Sequence, residues 1–160
     1  MTDNIIITRP ARVDDIPDLC RIEAECFSEP WSENGFSEFF KQSYSAAYVA
    51  QHGDIVVGYA GMYITYGEGN ITNIAVSYRW RRLGAARRLI DSLARHDGVD
   101  RLLLEVRESN LPAITLYKSC GFVIDGTRRG FYSNPREDAF LMSLDVGLYR
   151  ARHMSGFDEA

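Results

Sequence analysis

A β-branched run, Ile71-Thr72-Asn73-Ile74-Ala75-Val76, leads into Arg81-Arg82-Leu83-Gly84-Ala85-Ala86, which opens an amphipathic helix with Leu89, Ile90, Leu93 and Ala94 on one face. A strand that ends in such a helix start is an anion site. The first turn of a helix leaves N–H groups without partners and carries partial positive charge, and small residues at 84–86 let a pyrophosphate approach them. Arg79, Arg81, Arg82, Arg87 and Arg88 crowd the same helix start, where the macrodipole disfavours cations. An anionic ligand would compensate them; a solvated basic face is the plainer alternative.

The rest of the chain limits what that ligand can serve. With 160 residues, 46% of them hydrophobic and 25% charged, the chain reads as one soluble globular domain over 1–147. The segment 148–160 lacks a packing pattern and reads as an exposed tail. A net charge of −4 argues against direct nucleic-acid binding through a basic surface. Cys20, Cys26 and Cys120 are odd in number and lack C-x-x-C spacing, as expected for reduced thiols in a cytoplasmic protein. The start Met1-Thr2-Asp3-Asn4 resembles no signal peptide, and no apolar run is long enough to span a membrane. No H-E-x-x-H, His/Cys cluster or P-loop is present, so neither a metal nor P-loop chemistry is expected; His52, His96 and His153 stand singly.

Periodicity predicts a strand at Ile5–Thr8 and a helix from Asp14, Asp15 and Pro17 to about Phe27, with Ile16, Leu19, Cys20, Ile22 and Cys26 as its stripe. Ser32 caps a second helix bearing Phe36, Phe39 and Phe40. Strands at 46–51 and 55–64 meet at Gly53-Asp54, and Gly67-Glu68-Gly69-Asn70 turns the chain into the strand ending at Val76. After the helix at 84–96 come a strand at 101–106, a helix at 112–119 stopped by Gly121, and strands at about 122–132 and 137–145. The order β-α-α-β-β-β-α-β-α-β-β is of the α/β (α+β) class.

Leu104-Glu105-Val106-Arg107-Glu108-Ser109-Asn110, followed by Ala113-Ile114-x-Leu116-Tyr117-x3-Gly121-Phe122, closely resembles the GNAT acetyltransferases. Together with Pro30-Trp31-Ser32, Asn73-Ile74-Ala75-Val76 and Tyr132-x4-Glu137-Asp138-Ala139, the chain is similar to the bacterial ribosomal-protein-alanine N-acetyltransferases over residues 5–145. The resemblance implies a mixed, mostly antiparallel sheet of seven strands flanked by four helices. It also implies acetyl-coenzyme A as cofactor, held between the strand ending at Val76 and the strand at 101–106, which splay apart. Backbone groups of Ile74, Ala75 and Val76 would pair with the pantetheine arm as an added strand, and Arg81, Arg82, Leu83, Gly84, Ala85, Ala86 and Arg87 would hold the pyrophosphate. Asn110 matches a cofactor-contacting asparagine, and equally a helix N-cap before Pro112.

Acetyl transfer needs a neutral amine, a stabilised oxyanion and a protonated leaving thiol. Glu105 and Tyr117 match the family's proposed base and acid; the alternatives are an ion pair of Glu105 with Arg107 or Arg128, and a core role for Tyr117. Regular alternation sets Leu102 and Leu104 on one face and Leu103, Glu105 and Arg107 on the other. An α-amino group, with a pKa of about 7.7–8.0 against about 10.4 for lysine, needs only a mild base. No His pairs with Cys120 to make it a nucleophile, which favours direct attack in a ternary complex. Phe27, Pro30, Trp31, Phe131 and Tyr132 fall where N-terminal acetyltransferases grip a peptide, although Phe131 stands where the family often has a second tyrosine. The resemblance thus implies a protein or peptide N-terminus as partner, an alanine of a small-subunit ribosomal protein. Acetylation of lysine or a small amine, which would want a deeper acidic pocket, and a non-catalytic acyl-coenzyme A sensor are the alternatives.

Overall fold

The structure, a computed structural model, describes residues 5–154. A seven-stranded sheet runs in the order β1-β2-β3-β4-β5-β7-β6. Its strands are β1 (Ile7–Pro10), β2 (Ser45–His52), β3 (Ile55–Thr65), β4 (Glu68–Val76), β5 (Arg101–Arg107), β6 (Val123–Tyr132) and β7 (Glu137–Asp145). The helices are α1 (Ile16–Cys26), α2 (Glu33–Lys41), α3 (Ala85–Arg95), α4 (Leu111–Cys120) and α5 (Val146–Met154). Every neighbouring pair is antiparallel except β4 and β5, which are parallel.

Alternation along the strands splits the core between two faces. Val49 and Ala50 are adjacent on β2 yet fall into separate apolar clusters, as do Val56 and Val57 on β3. The larger cluster takes Leu89, Ile90, Leu93 and Ala94 of α3, all fully buried, with Leu102, Leu104 and Val106 of β5. The smaller holds Ile16, Leu19 and Ile22 of α1 with Phe36 of α2. Glu105 therefore sits on the face opposite the α3 core, half-buried, as the alternation of β5 predicts.

Two expectations change. The first strand runs from Ile7 to Pro10 rather than over Ile5–Thr8, since pairing with β2 starts at Ile7 opposite Gln51, and Ile6 just before it is buried in the core. Among the described residues there are five α-helices where four were expected, and the tail from residue 148 is helical through Met154; residues 155–160 lie outside the described residues. Among the described side chains of α5 only Val146 and Tyr149 are buried apolar positions, and Leu148 is exposed, so no stripe marks this helix in the sequence. Polar contacts to α3 hold it instead. Tyr149 Oη donates to Asp91 Oδ1 at 2.8 Å, and the Arg150 guanidinium donates to the Ala94 carbonyl at 2.8 Å, where the end of α3 leaves acceptors open. Arg150→Ala is expected to cost about 1–2 kcal/mol of unfolding free energy in a denaturant titration. An unchanged midpoint would mean that water satisfies those carbonyls equally well.

The sheet parts in the middle. β4 and β5 pair only at Glu68 with Arg101, Gly69 with Leu102 and Asn70 with Leu103. Immediately beyond, the register of β3 against β4 slips, with Met62 opposite Ile71 and Gly61 opposite Asn73, leaving Thr72 as the extra residue of a β-bulge. A bulge bends its strand and increases the local twist, which carries β4 away from β5.

Candidate active site

Between the parted strands lies a cleft of about 950 Å³. Ile74 of β4, Glu105 of β5, Asn110 and Tyr117 of α4, Phe27 and Trp31 of the α1–α2 loop, and Phe131 and Tyr132 of β6 all line it. Eight of the residues singled out from the sequence thus meet in one space. Pro30, Ala75, Val76 and residues 81–87 are not on its walls.

The open edge of β4 is narrower than expected. Ser77 N–H donates to the Val57 carbonyl at 2.8 Å, so by the two-residue alternation of an antiparallel ladder Ala75 turns its N–H and C=O to Tyr59 of β3. Ile74 and Val76 point theirs into the gap. The Val76 carbonyl already accepts from Arg81 Nε at 2.9 Å, which leaves Ile74 as the free backbone edge beside Glu105.

At the start of α3, Gly84 is the cap residue with φ of 84°, a left-handed conformation that favours glycine, and an added Cβ there would meet nothing within 4 Å. Ala85 is buried in the core, so its contribution to an anion would come from its N–H alone. The arginines divide. Arg81 is held over the Tyr78 ring at 4.0 Å, and Arg87 donates to Ser119 Oγ of α4. Among the described residues, no hydrogen bond or ion pair holds the side chain of Arg79, Arg82 or Arg88.

Within the cleft, Glu105 Oε1 lies 4.0 Å from Arg128 Nη1, and both side chains are partly exposed. That is a loose pair, of little value to stability at such exposure. Arg107 goes elsewhere: it stacks over the Tyr132 ring at 4.3 Å and donates to the Pro135 and Ser133 carbonyls and to Glu137 Oε1. Glu137 in turn accepts from Ser109 N–H at 2.6 Å, so these contacts tie the β6–β7 loop to the end of β5. Arg107→Ala should free that loop and raise the KM of an acceptor peptide several-fold, with cofactor affinity unchanged by calorimetry; an unchanged KM would show that the loop does not shape the acceptor site.

Tyr117 packs its ring against Phe122 at 5.6 Å, while its hydroxyl has no hydrogen-bond partner among the described residues. Burial, with Tyr132 and Cys120 nearby, pushes this phenol up to about 12. It is a proton donor without a partner, facing the cleft. Asn110 Oδ1 accepts from Ala113 N–H at 3.3 Å, the N-cap of α4, while its side chain also lines the cleft. Trp31 packs on Phe36 and Phe39, at 5.4 and 5.9 Å, so it is a wall fixed by the core.

The sequence reading passed over Glu23. It is 1% exposed and lines the cleft from α1. Its Oε1 accepts from Trp31 N–H at 2.9 Å, and its Oε2 from the Tyr59 hydroxyl at 2.6 Å. Burial pushes its carboxyl up, while the Tyr59 and Trp31 donors pull the other way. The available signal was its place on the apolar stripe of α1, one helical turn after Leu19.

The acetyltransferase (GNAT) family profile matches residues 16–122 of this chain. The [ribosomal protein bS18]-alanine N-acetyltransferase of Escherichia coli K12 is 36% identical over 140 residues, 84% of this chain and 93% of that protein. An N-alpha-acetyltransferase of Saccharolobus solfataricus is 32% identical over 151 residues, covering 84% and 90% respectively. The crystal structure of the ribosomal-protein-S18-alanine N-acetyltransferase from Escherichia coli superposes with a TM-score of 0.81 at 31% identity, over 89% of this chain and 94% of that one. The chain belongs to the GNAT acetyltransferase family, and it is an acetyl-coenzyme A-dependent N-acetyltransferase.

Proposed function

We propose that the enzyme acetylates the N-terminal α-amino group of a protein, an N-terminal alanine of a small-subunit ribosomal protein, by direct attack in a ternary complex. The observation that carries this reading is the convergence, in one cleft, of the Glu105 carboxylate, the unpartnered Tyr117 hydroxyl and the free backbone edge of Ile74. The names and coverage of the relatives support the choice of acceptor. An aromatic rim of Phe27, Trp31, Phe131 and Tyr132 suits an extended peptide better than a small polyamine. Glu23, the deepest carboxylate, is already engaged by donors and offers no free acidic pocket for a lysine side chain.

The residues present fit the cofactor. The Cβ-free space at Gly84, the unpaired N–H groups of the first turn of α3, and Arg82 would hold the pyrophosphate, and Ile74 would pair with the pantetheine arm. Bound acetyl-coenzyme A supplies the activated acyl thioester. Glu105 takes up the amine proton, directly or through water, and the Tyr117 hydroxyl holds a proton toward the departing sulfur. Cys120 is buried, and burial pushes its thiol up, which opposes a thiolate nucleophile and supports direct transfer.

Gly84→Val tests the cofactor placement. An added Cβ there meets nothing within 4 Å, and left-handed strain costs about 1–2 kcal/mol of stability. Acetyl-coenzyme A affinity by calorimetry should fall at least about tenfold beyond that; equal affinity would put the pyrophosphate elsewhere. Initial rates on peptides that differ only in their first residue test the acceptor. Alanine should be fastest, and a flat ranking would refute the assignment of an alanine N-terminus.

A further inference from the structure

Asn73 occupies the bulged part of β4, next to Ile74, and lines the cleft. Its Nδ2 donates to Glu23 Oε2 at 3.2 Å and to Tyr59 Oη at 2.9 Å, while the Tyr59 hydroxyl spends its own proton on Glu23 Oε2 at 2.6 Å. A carboxylate only accepts, and a phenol whose proton is committed can only accept as well. The nitrogen end of the amide must therefore face this pair. That fixes the Asn73 amide in one orientation, with Oδ1 turned away.

No described residue donates to Oδ1, and among the described residues no buried side-chain oxygen or nitrogen lacks a partner. The oxygen is therefore open to the cleft. A carboxylate as deeply buried as Glu23 is costly, and apolar packing would not select it. Two of its donors, Trp31 of the α1–α2 loop and Asn73 of β4, come from the cleft walls, and the third, Tyr59 of β3, from the core behind them.

We propose that Glu23 and Tyr59 are positioning residues that lock Asn73 so that its Oδ1 accepts a hydrogen bond from the acceptor's reacting amino group. The proposal rests on the reading of this cleft as the acceptor site. An amide oxygen is suited to the task because it holds an amine N–H without taking the proton, leaving that step to Glu105 and the nitrogen lone pair free to attack.

The test is a double-mutant cycle by steady-state kinetics with an alanine-initiated peptide, with acetyl-coenzyme A binding measured by calorimetry on every variant. Asn73→Ala should raise the peptide KM by about tenfold or more, with kcat changed less than about threefold and cofactor affinity unchanged. Glu23→Gln places an amide donor against Asn73 and should raise KM comparably. In the double variant the second change should add almost nothing, since Glu23 acts through Asn73. A wild-type KM in Asn73→Ala, or penalties that multiply in the double variant, would overturn the proposal. If Glu23→Gln no longer binds cofactor, Tyr59→Phe, which removes one hydroxyl and keeps the ring, takes its place with the same expectations. Failure of the broader reading looks different. The wild type would then prefer some other amine, and the same rise in KM is expected with that amine for Asn73→Ala; a wild type that acetylates no amine overturns both.

Discussion

Tyr117→Phe is expected to lower turnover by about 10- to 1,000-fold while leaving acetyl-coenzyme A affinity near the wild-type value. The substitution keeps the ring that packs on Phe122 and removes only a hydroxyl without a partner among the described residues, so folding should be untouched. Burial holds the phenol up at about 12, well above a thiol of about 8.5, so full transfer of its proton to sulfur is uphill. Its contribution is then a hydrogen bond that strengthens as charge develops on the departing sulfur. The same shift keeps the hydroxyl protonated throughout the neutral and mildly alkaline range, so its ionisation should cause no loss of rate below about pH 11. Equal turnover in Tyr117→Phe, measured at saturating acetyl-coenzyme A, would make Tyr117 a packing residue.

Glu105→Gln should fall furthest at neutral pH, by about 100-fold or more, and partly recover as pH rises through the amine's own pKa near 8. The sign follows from which group carries the proton. Below the amine pKa the acceptor arrives charged and needs a base; above it the acceptor arrives neutral and the missing carboxylate matters less. Glu105 has only a loose, partly exposed pair with Arg128 at 4.0 Å, so glutamine should cost little stability. A structural Glu105 would show the reverse, with a lowered melting temperature and a wild-type pH–rate profile in the folded fraction. Thermal unfolding and the pH–rate profile of the same variant separate these outcomes.

What the sequence revealed follows from how local each signal is. The stripe Leu89, Ile90, Leu93 and Ala94 on α3, and the alternation that turns Glu105 away from Leu102 and Leu104, depend on spacing alone and appear as expected. The gathering of Glu105, Tyr117, Asn110, Trp31 and Tyr132 in one cleft was implied by family motifs rather than by periodicity. Three features needed the fold. The bulge at Thr72 depends on how β3 registers against β4, and that register decides that Ile74, not Ala75, offers its backbone to the cleft. The place of Glu23 on the apolar stripe of α1 marks it as facing inward, but its role shows only when Tyr59 and Asn73, far along the chain, close around it. α5 has too few buried apolar residues to show a stripe, and is held by the hydrogen bonds of Tyr149 and Arg150 to α3.

The central claim is transfer of acetyl to an α-amino group, and a single competition tests it most directly. Two peptides at equal concentration, one with a free alanine N-terminus and no lysine, the other N-terminally blocked with one lysine, are incubated with enzyme and acetyl-coenzyme A at neutral pH and followed by mass spectrometry. The α-amine is neutral about two to three orders of magnitude more often than the lysine amine under these conditions, and the aromatic rim favours an extended chain end. Acetylation confined to the free N-terminus, and slowed at least about tenfold in Tyr117→Phe and Glu105→Gln, is the predicted result; acetylation of the lysine peptide at an equal or greater rate would contradict it.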